Sequence, residues 1–183
     1  MRELPVRRSI RLRGFDYRDG GGYFVTICTF RRACVLAEIE AGRVRLTAVG
    51  GVVESVWRTL PGFFPHVDLD AYVVMPNHLH GILVLRDTHR AKHPPQADAS
   101  PLHGSRPRGT TAGSLSAIVQ AFKALTTRRV RSITRMERIH LWQPGFYDRV
   151  VRDEEEFNRI RRYIEENPLR WALDRENSLR PTV

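Results

Sequence analysis

The sequence predicts one α+β domain in which an antiparallel sheet carries helices on one face. Three observations lead there. β-Branched and aromatic runs alternate with amphipathic stretches in the order β–α–ββ–α–β–α. The two middle strands are separated only by Pro76-Asn77, a turn dipeptide that makes them a hairpin. The length of 183 residues, 42% of them hydrophobic, suits a single packed core.

Taken in order, residues 1–19 form a basic arm with little periodicity, ending at the flexible joint Gly20-Gly21-Gly22. Residues 23–30 read as a strand, and residues 43–46 as a short hairpin strand. From position 47 to about 60, Val49, Val52, Val53, Val56, Trp57 and Leu60 recur at helical spacing, and Pro61-Gly62 stops the helix. Strands follow over 69–75 and 78–85. Residues 87–113 are rich in Pro, Gly, Ser, Thr and His and are expected to form a mobile loop. Ser114 caps a helix to about 132 whose stripe is Leu115, Ile118, Val119, Phe122, Leu125 and Val130. A strand over 146–151 precedes a helix begun by Asp153 with Glu156, carrying Phe157, Ile160 and Ile164 inward and ending near Asn167-Pro168. This order of elements matches a ferredoxin-like architecture.

Composition narrows the function. No apolar run approaches the ~18 residues of a membrane helix, and the N-terminus lacks an apolar signal region. Cys28 and Cys34 are too few to staple a chain of this size, so a reducing cytoplasm is expected. The formal net charge is +10, unevenly spread. Residues 106–138 hold eight bases and one acid, and the arm adds Arg2, Arg7, Arg8, Arg11, Arg13 and Arg18 against three acids. Arginine-dominated clusters favour phosphate contacts, which points to nucleic acid in preference to a merely solvated surface.

His78-Leu79-His80 is the sharpest local feature. On a strand, residues two apart project from one face, so both imidazoles are placed to hold a divalent metal. Gly81 is expected to remove a side chain beside that metal and admit close backbone approach. On the last helix, at about 100° per residue, Tyr163 falls at the edge of the buried stripe, with Asn167 one turn on. A phenol beside a metal and a basic surface is a candidate phosphodiester nucleophile, and with a free pKa near 10 it needs activation. Tyr147 is the rival. A zinc site from the two cysteines is disfavoured, because five residues between them exceed the usual two to four.

These residues resemble the single-tyrosine HUH transposases, specifically the REP-associated tyrosine transposases, over nearly the whole chain. The carrying stretches are RSIRLRGFDY (8–17), GYFVTICT (22–29), VMPNHLHGI (74–82), SAIVQAFK (116–123), WQPGFYDR (142–149) and RYIEENP (162–168). The resemblance implies an HUH endonuclease fold in which His78 and His80 hold Mg²⁺ or Mn²⁺ against the scissile phosphate. It implies Tyr163 as the nucleophile, forming a 5′-phosphotyrosine that another strand's 3′-hydroxyl reseals. In that family the third ligand is a Gln one turn after the tyrosine. The matching residue here is Asn167, one methylene shorter and followed by Pro168, with a water or another side chain as the alternative ligand. By the same resemblance the substrate is single-stranded or hairpin DNA of repetitive palindromic elements. Arg7, Arg8, Arg11 and Arg13 would enter a groove, while Lys123, Arg128, Arg129 and Arg131 track phosphates. A cytoplasmic, nucleoid-associated protein is expected, with a monomer slightly favoured over a dimer and no membrane or small-molecule partner. The other reading is a ferredoxin-like module that grips structured nucleic acid without cutting it, stacking bases on sheet aromatics such as Tyr23 or Tyr147.

Overall fold

The computed structural model describes residues 21–86, 112–136 and 139–173. The basic arm with Arg7, Arg8, Arg11 and Arg13, and nearly all of the expected loop over 87–113, lie outside the described residues.

The elements are β1 (Gly21–Cys28), β2 (Ala37–Glu40), β3 (Arg43–Leu46), α1 (Ala48–Arg58), α2 (Leu60–Phe63), β4 (Val67–Met75), β5 (His78–Leu85), α3 (Leu115–Thr134), β6 (Tyr147–Val151) and α4 (Glu154–Glu166). Short 3-10 turns follow β1 and α4, at Phe30–Arg32 and Pro168–Leu173. The main sheet has the order β4-β5-β1-β6, with every neighbouring pair antiparallel. The crossovers β1–α1–β4 and β5–α3–β6 therefore each join strands of like direction across an intervening one, as the ferredoxin-like reading requires. The predicted strand over 43–46 pairs with β2, which the sequence reading missed. Its turn, Ala41-Gly42, has positive φ at both positions (48° and 74°), the geometry that joins two strands by two residues.

Strand alternation divides the core in two. Tyr23, Val25 and Ile27 of β1 and Leu79 and Leu83 of β5 join Val53, Val56 and Trp57 of α1 and Ile118 and Phe122 of α3. Phe24, Ile82, Val73 and Val84 belong to a second cluster, under Phe157, Ile160 and Ile164 of α4. Helices thus cover both faces, not one: α1 and α3 share a face and α4 takes the other. The cause is legible in β5, which is buried almost throughout and cannot leave either face to water.

The expected caps form. Ser114 Oγ accepts from Ala117 N (3.3 Å) at the start of α3. Asp153 accepts from Glu156 N (2.8 Å), and the Glu156 carboxylate takes the Arg152 N–H (2.9 Å) at the start of α4. Among the described residues no helix is long and apolar enough to cross a membrane.

Candidate active site

The site lies on the α4 face, just beyond the second cluster. His78 and His80 project from β5, opposite Cys28 and Thr26 of β1 in the strand register. Both imidazoles are buried, with ring centroids 4.3 Å apart. Their orientations are fixed by neighbours. Asn77 Nδ2 donates to the Arg32 carbonyl (3.2 Å). That turns Asn77 Oδ1 towards His78, whose Nδ1 donates to it (2.9 Å). The proton is thereby held on Nδ1, and the lone pair is left on Nε2. His80 Nδ1 shares a hydrogen bond with Thr26 Oγ1 (2.8 Å), and Phe24 stacks on its ring at 5.2 Å.

Helix α4 brings the phenol to this pair. Tyr163 is 43% exposed, yet its hydroxyl lies 3.3 Å from His80 Nε2. The Phe24 ring meets Tyr163 edge-on at 6.0 Å. What anchors the helix is the second cluster together with Arg161, whose guanidinium forks onto Asp70 of β4 (2.9 and 2.7 Å). Asn167 follows as the C-cap of α4 and is buried. After it Pro168 turns the chain into a 3-10 segment that sets Trp171 against His78, ring centroids 6.0 Å apart.

Among the described residues, His78 Nε2 and Asn167 Oδ1 are buried with no hydrogen-bond partner. An orphaned buried acceptor carries a cost that folding normally avoids, and at a functional site it marks a place for a ligand. Burial, with the nearby Arg32 charge, lowers the His78 pKa to about 3, so its imidazole stays neutral and able to donate a lone pair. Among the described residues no three His, Cys, Asp or Glu side chains cluster to hold a metal ion. The paired imidazoles, with the His78 lone pair on its buried Nε2, are ligands of a type that suits a divalent cation, and Asn167 Oδ1 is a further orphaned acceptor at the end of the helix that carries Tyr163.

Several expectations need correction. Gly81 faces away from the histidines: a Cβ there would overlap Trp57 Cζ2 and lie 3.1 and 3.2 Å from Cη2 and Cε2, so the glycine makes room for α1 packing. Tyr23 is fully buried in the α1–α3 core and offers no stacking surface. Lys123 Nζ donates to the carbonyls of Gln143 (2.9 Å) and Gly145, and burial lowers its pKa to about 8. Arg128, Arg129 and Arg131 are exposed on α3. Tyr147 pairs with Thr26 across β1 and β6, on the histidine face but half-buried. Neither cysteine is in a disulfide; Cys28 is buried and Cys34 exposed. The sequence reading missed Thr26, Asn77, Phe24 and Trp171. A threonine inside the apolar run GYFVTIC was the available signal for the first.

No family model matches the sequence. An uncharacterised protein from Haemophilus influenzae is 37% identical over 170 residues, covering 92% of this chain and 91% of that one. Among solved structures, a REP-associated tyrosine transposase bound to a REP hairpin superposes with a TM-score of 0.54 at 19% identity. The match covers 95% of this chain and 76% of that one, and it shows a shared fold.

Proposed function

We propose that this chain, which belongs to one protein family with the Haemophilus influenzae relative, is a transposase-type enzyme that cleaves and rejoins single-stranded DNA. The observation that carries this reading is the phenol of Tyr163 meeting His80 beside a second imidazole, His78, whose buried Nε2 has no partner. The likeness in fold to a transposase bound to a DNA hairpin supports it.

In this reading His78, His80 and Asn167 would hold Mg²⁺ or Mn²⁺, which would supply Lewis-acid polarisation of the scissile phosphate. Asn77 and Thr26 keep the two imidazoles in the orientation that metal binding requires, the task of outer ligands in metal sites. Tyr163 attacks the phosphorus in line. The bond to the 3′-oxygen breaks, leaving a 5′-phosphotyrosine and a 3′-hydroxyl. The phenol must lose its proton to do so, and its exposure opens that proton to solvent. Arg161, forked onto Asp70, keeps α4 seated so that the phenol stays over the histidines. The substrate is a hairpin of a repetitive palindromic element, bound through the basic arm and through Arg128, Arg129 and Arg131.

The test is covalent capture. Labelled single-stranded hairpin DNA from repeats flanking the gene is incubated with the protein and Mn²⁺ or EDTA, then run on a denaturing gel. A Mn²⁺-dependent adduct, absent in Tyr163→Phe, is expected. Tight binding without an adduct in Mn²⁺ or Mg²⁺ would instead favour the non-cutting module.

A further inference from the structure

Helix α4 carries a second group of charges on the stripe that presents Tyr163. Glu156, Arg159 and Tyr163 stand at i, i+3 and i+7 and so share one side of the helix. Glu156 is buried. Its Oε2 takes the Arg152 N–H (2.9 Å), and its Oε1 takes two guanidiniums, Arg159 from the next turn (3.4 Å) and Arg149 from β6. Arg149 lies opposite Phe24 in the β1–β6 register, so its side chain shares the histidine face. Phe24 is the ring that stacks on His80 and meets Tyr163 edge-on. Helical rise sets Arg159 about 6 Å along the axis from Tyr163. The two guanidiniums therefore lie together on the β6 side of the phenol.

One arginine is enough to neutralise one buried carboxylate. The second leaves the group with a net positive charge, and both side chains are more than half exposed (59% and 63%). Each spends a single nitrogen, Nη2, on Glu156, and among the described residues neither guanidinium has another partner. The rest of each planar fork is left to solvent. Glu156 thus holds two long side chains in place before any ligand arrives, which lowers the ordering cost of binding. Two like charges drawn to one oxygen repel each other, and an anion lying between them relieves that repulsion. Phosphate oxygens match the arginine fork in shape and charge.

We propose that Arg149 and Arg159, splayed from the buried Glu156 carboxylate, form a clamp for a backbone phosphate of the DNA strand that flanks the scissile one on the β6 side of Tyr163. The proposal rests on the DNA-cleaving reading of the same site and extends it to a neighbouring nucleotide. It gives the buried carboxylate a reason to gather two arginines where one would balance its charge.

The experiment uses the full chain and the hairpin oligonucleotide of the capture assay, intact and with one phosphate at a time replaced by an uncharged methylphosphonate. Binding is read by fluorescence anisotropy in EDTA over a range of salt concentrations, and the cleaved position is read from the Mn²⁺-dependent adduct. Wild type is compared with Arg149→Gln and Arg159→Gln. Each single variant leaves Glu156 one arginine and should melt within about 3 °C of wild type. Each should bind the intact hairpin about 3- to 10-fold more weakly, with a salt slope shallower by about 0.7. Neutralising one phosphate beside the cleaved bond should weaken wild type to a similar degree and leave both variants nearly unaffected, the mark of a shared contact. Equal losses in wild type and variants at every position overturn the proposal, because the arginines would then add only diffuse charge. A shared position remote from the cleaved bond overturns it as well. So does a larger fall in melting temperature without a position-specific loss, which would make the pair a brace for α4. A wild type that forms no adduct removes the cleaving reading, and with it the phosphate beside which this clamp is placed. An adduct from wild type, with no position-specific change in the variants, removes the clamp alone.

Discussion

Placing a methyl group at position 81 separates two accounts of that glycine. A Cβ at Gly81 would overlap Trp57 Cζ2 and crowd Cη2 and Cε2 at 3.1 and 3.2 Å. The indole has little room to retreat, because it is fully buried, meets Phe122 edge-on at 5.4 Å and tilts against Tyr72 at 6.4 Å. Overpacking of this kind costs about 1–3 kcal/mol. It more than offsets the ~0.4–1 kcal/mol that Gly→Ala gains by restricting the unfolded chain. At ~2–4 °C per kcal/mol for a domain of this size, Gly81→Ala should melt several degrees below wild type. Urea unfolding gives the free energy directly, with an unchanged slope expected. A double-mutant cycle with Trp57→Leu should show coupling of about 0.5–3 kcal/mol, since the smaller side chain leaves room for the methyl. A Gly81→Ala protein as stable as wild type, with weakened Mn²⁺ binding, would refute the packing account. It would return Gly81 to the metal side.

Three further outcomes follow from the same geometry. With metal removed by EDTA, His78 gives the protein an acid-sensitive limb: the folded-state pKa, near 3, lies below the ordinary 6.5, so the unfolded state binds the extra proton. Stability is full above about pH 6.5 and falls as pH drops towards 3, with a slope of at most about 1.4 kcal/mol per pH unit from this group, and His78→Gln should flatten that window in urea titrations. The Arg161 hydrogen bond lowers the pKa of Asp70, so this pair stabilises the fold above the ordinary carboxylate range and fades in acid as Asp70 protonates. Asp70→Asn and Arg161→Gln should each slow adduct formation more than they weaken DNA binding, with a sub-additive double mutant. Lys123→Met should loosen residues 143–145, raising amide exchange there while leaving DNA affinity at high salt unchanged, because Nζ is engaged by loop carbonyls.

The fold was read from periodicity where the pattern was strong and missed where tertiary context decided. The stripes of α3 and α4 and the hairpin across Pro76-Asn77 were legible because helical and strand spacing differ so clearly in SAIVQAFK and HLHGILVL. β2 escaped because AEIE is short, with half its side chains charged. That α4 covers the opposite face was implicit in the doubly apolar β5, yet periodicity alone does not say which element will cover which face. The two histidines and Tyr163 could be singled out by type and spacing. Asn77 and Thr26 could not, because their roles depend on contacts across 45 and 54 residues of chain. Gly81 was misread against a rule already in hand, since a residue next to His80 on a strand must face the other way.

The most direct test is which side chain carries the DNA. Mass-spectrometric mapping of peptides from the Mn²⁺-dependent adduct should find the nucleotide phosphate on Tyr163. Finding it on Tyr147, or finding no adduct with a hairpin the protein binds tightly, would contradict it.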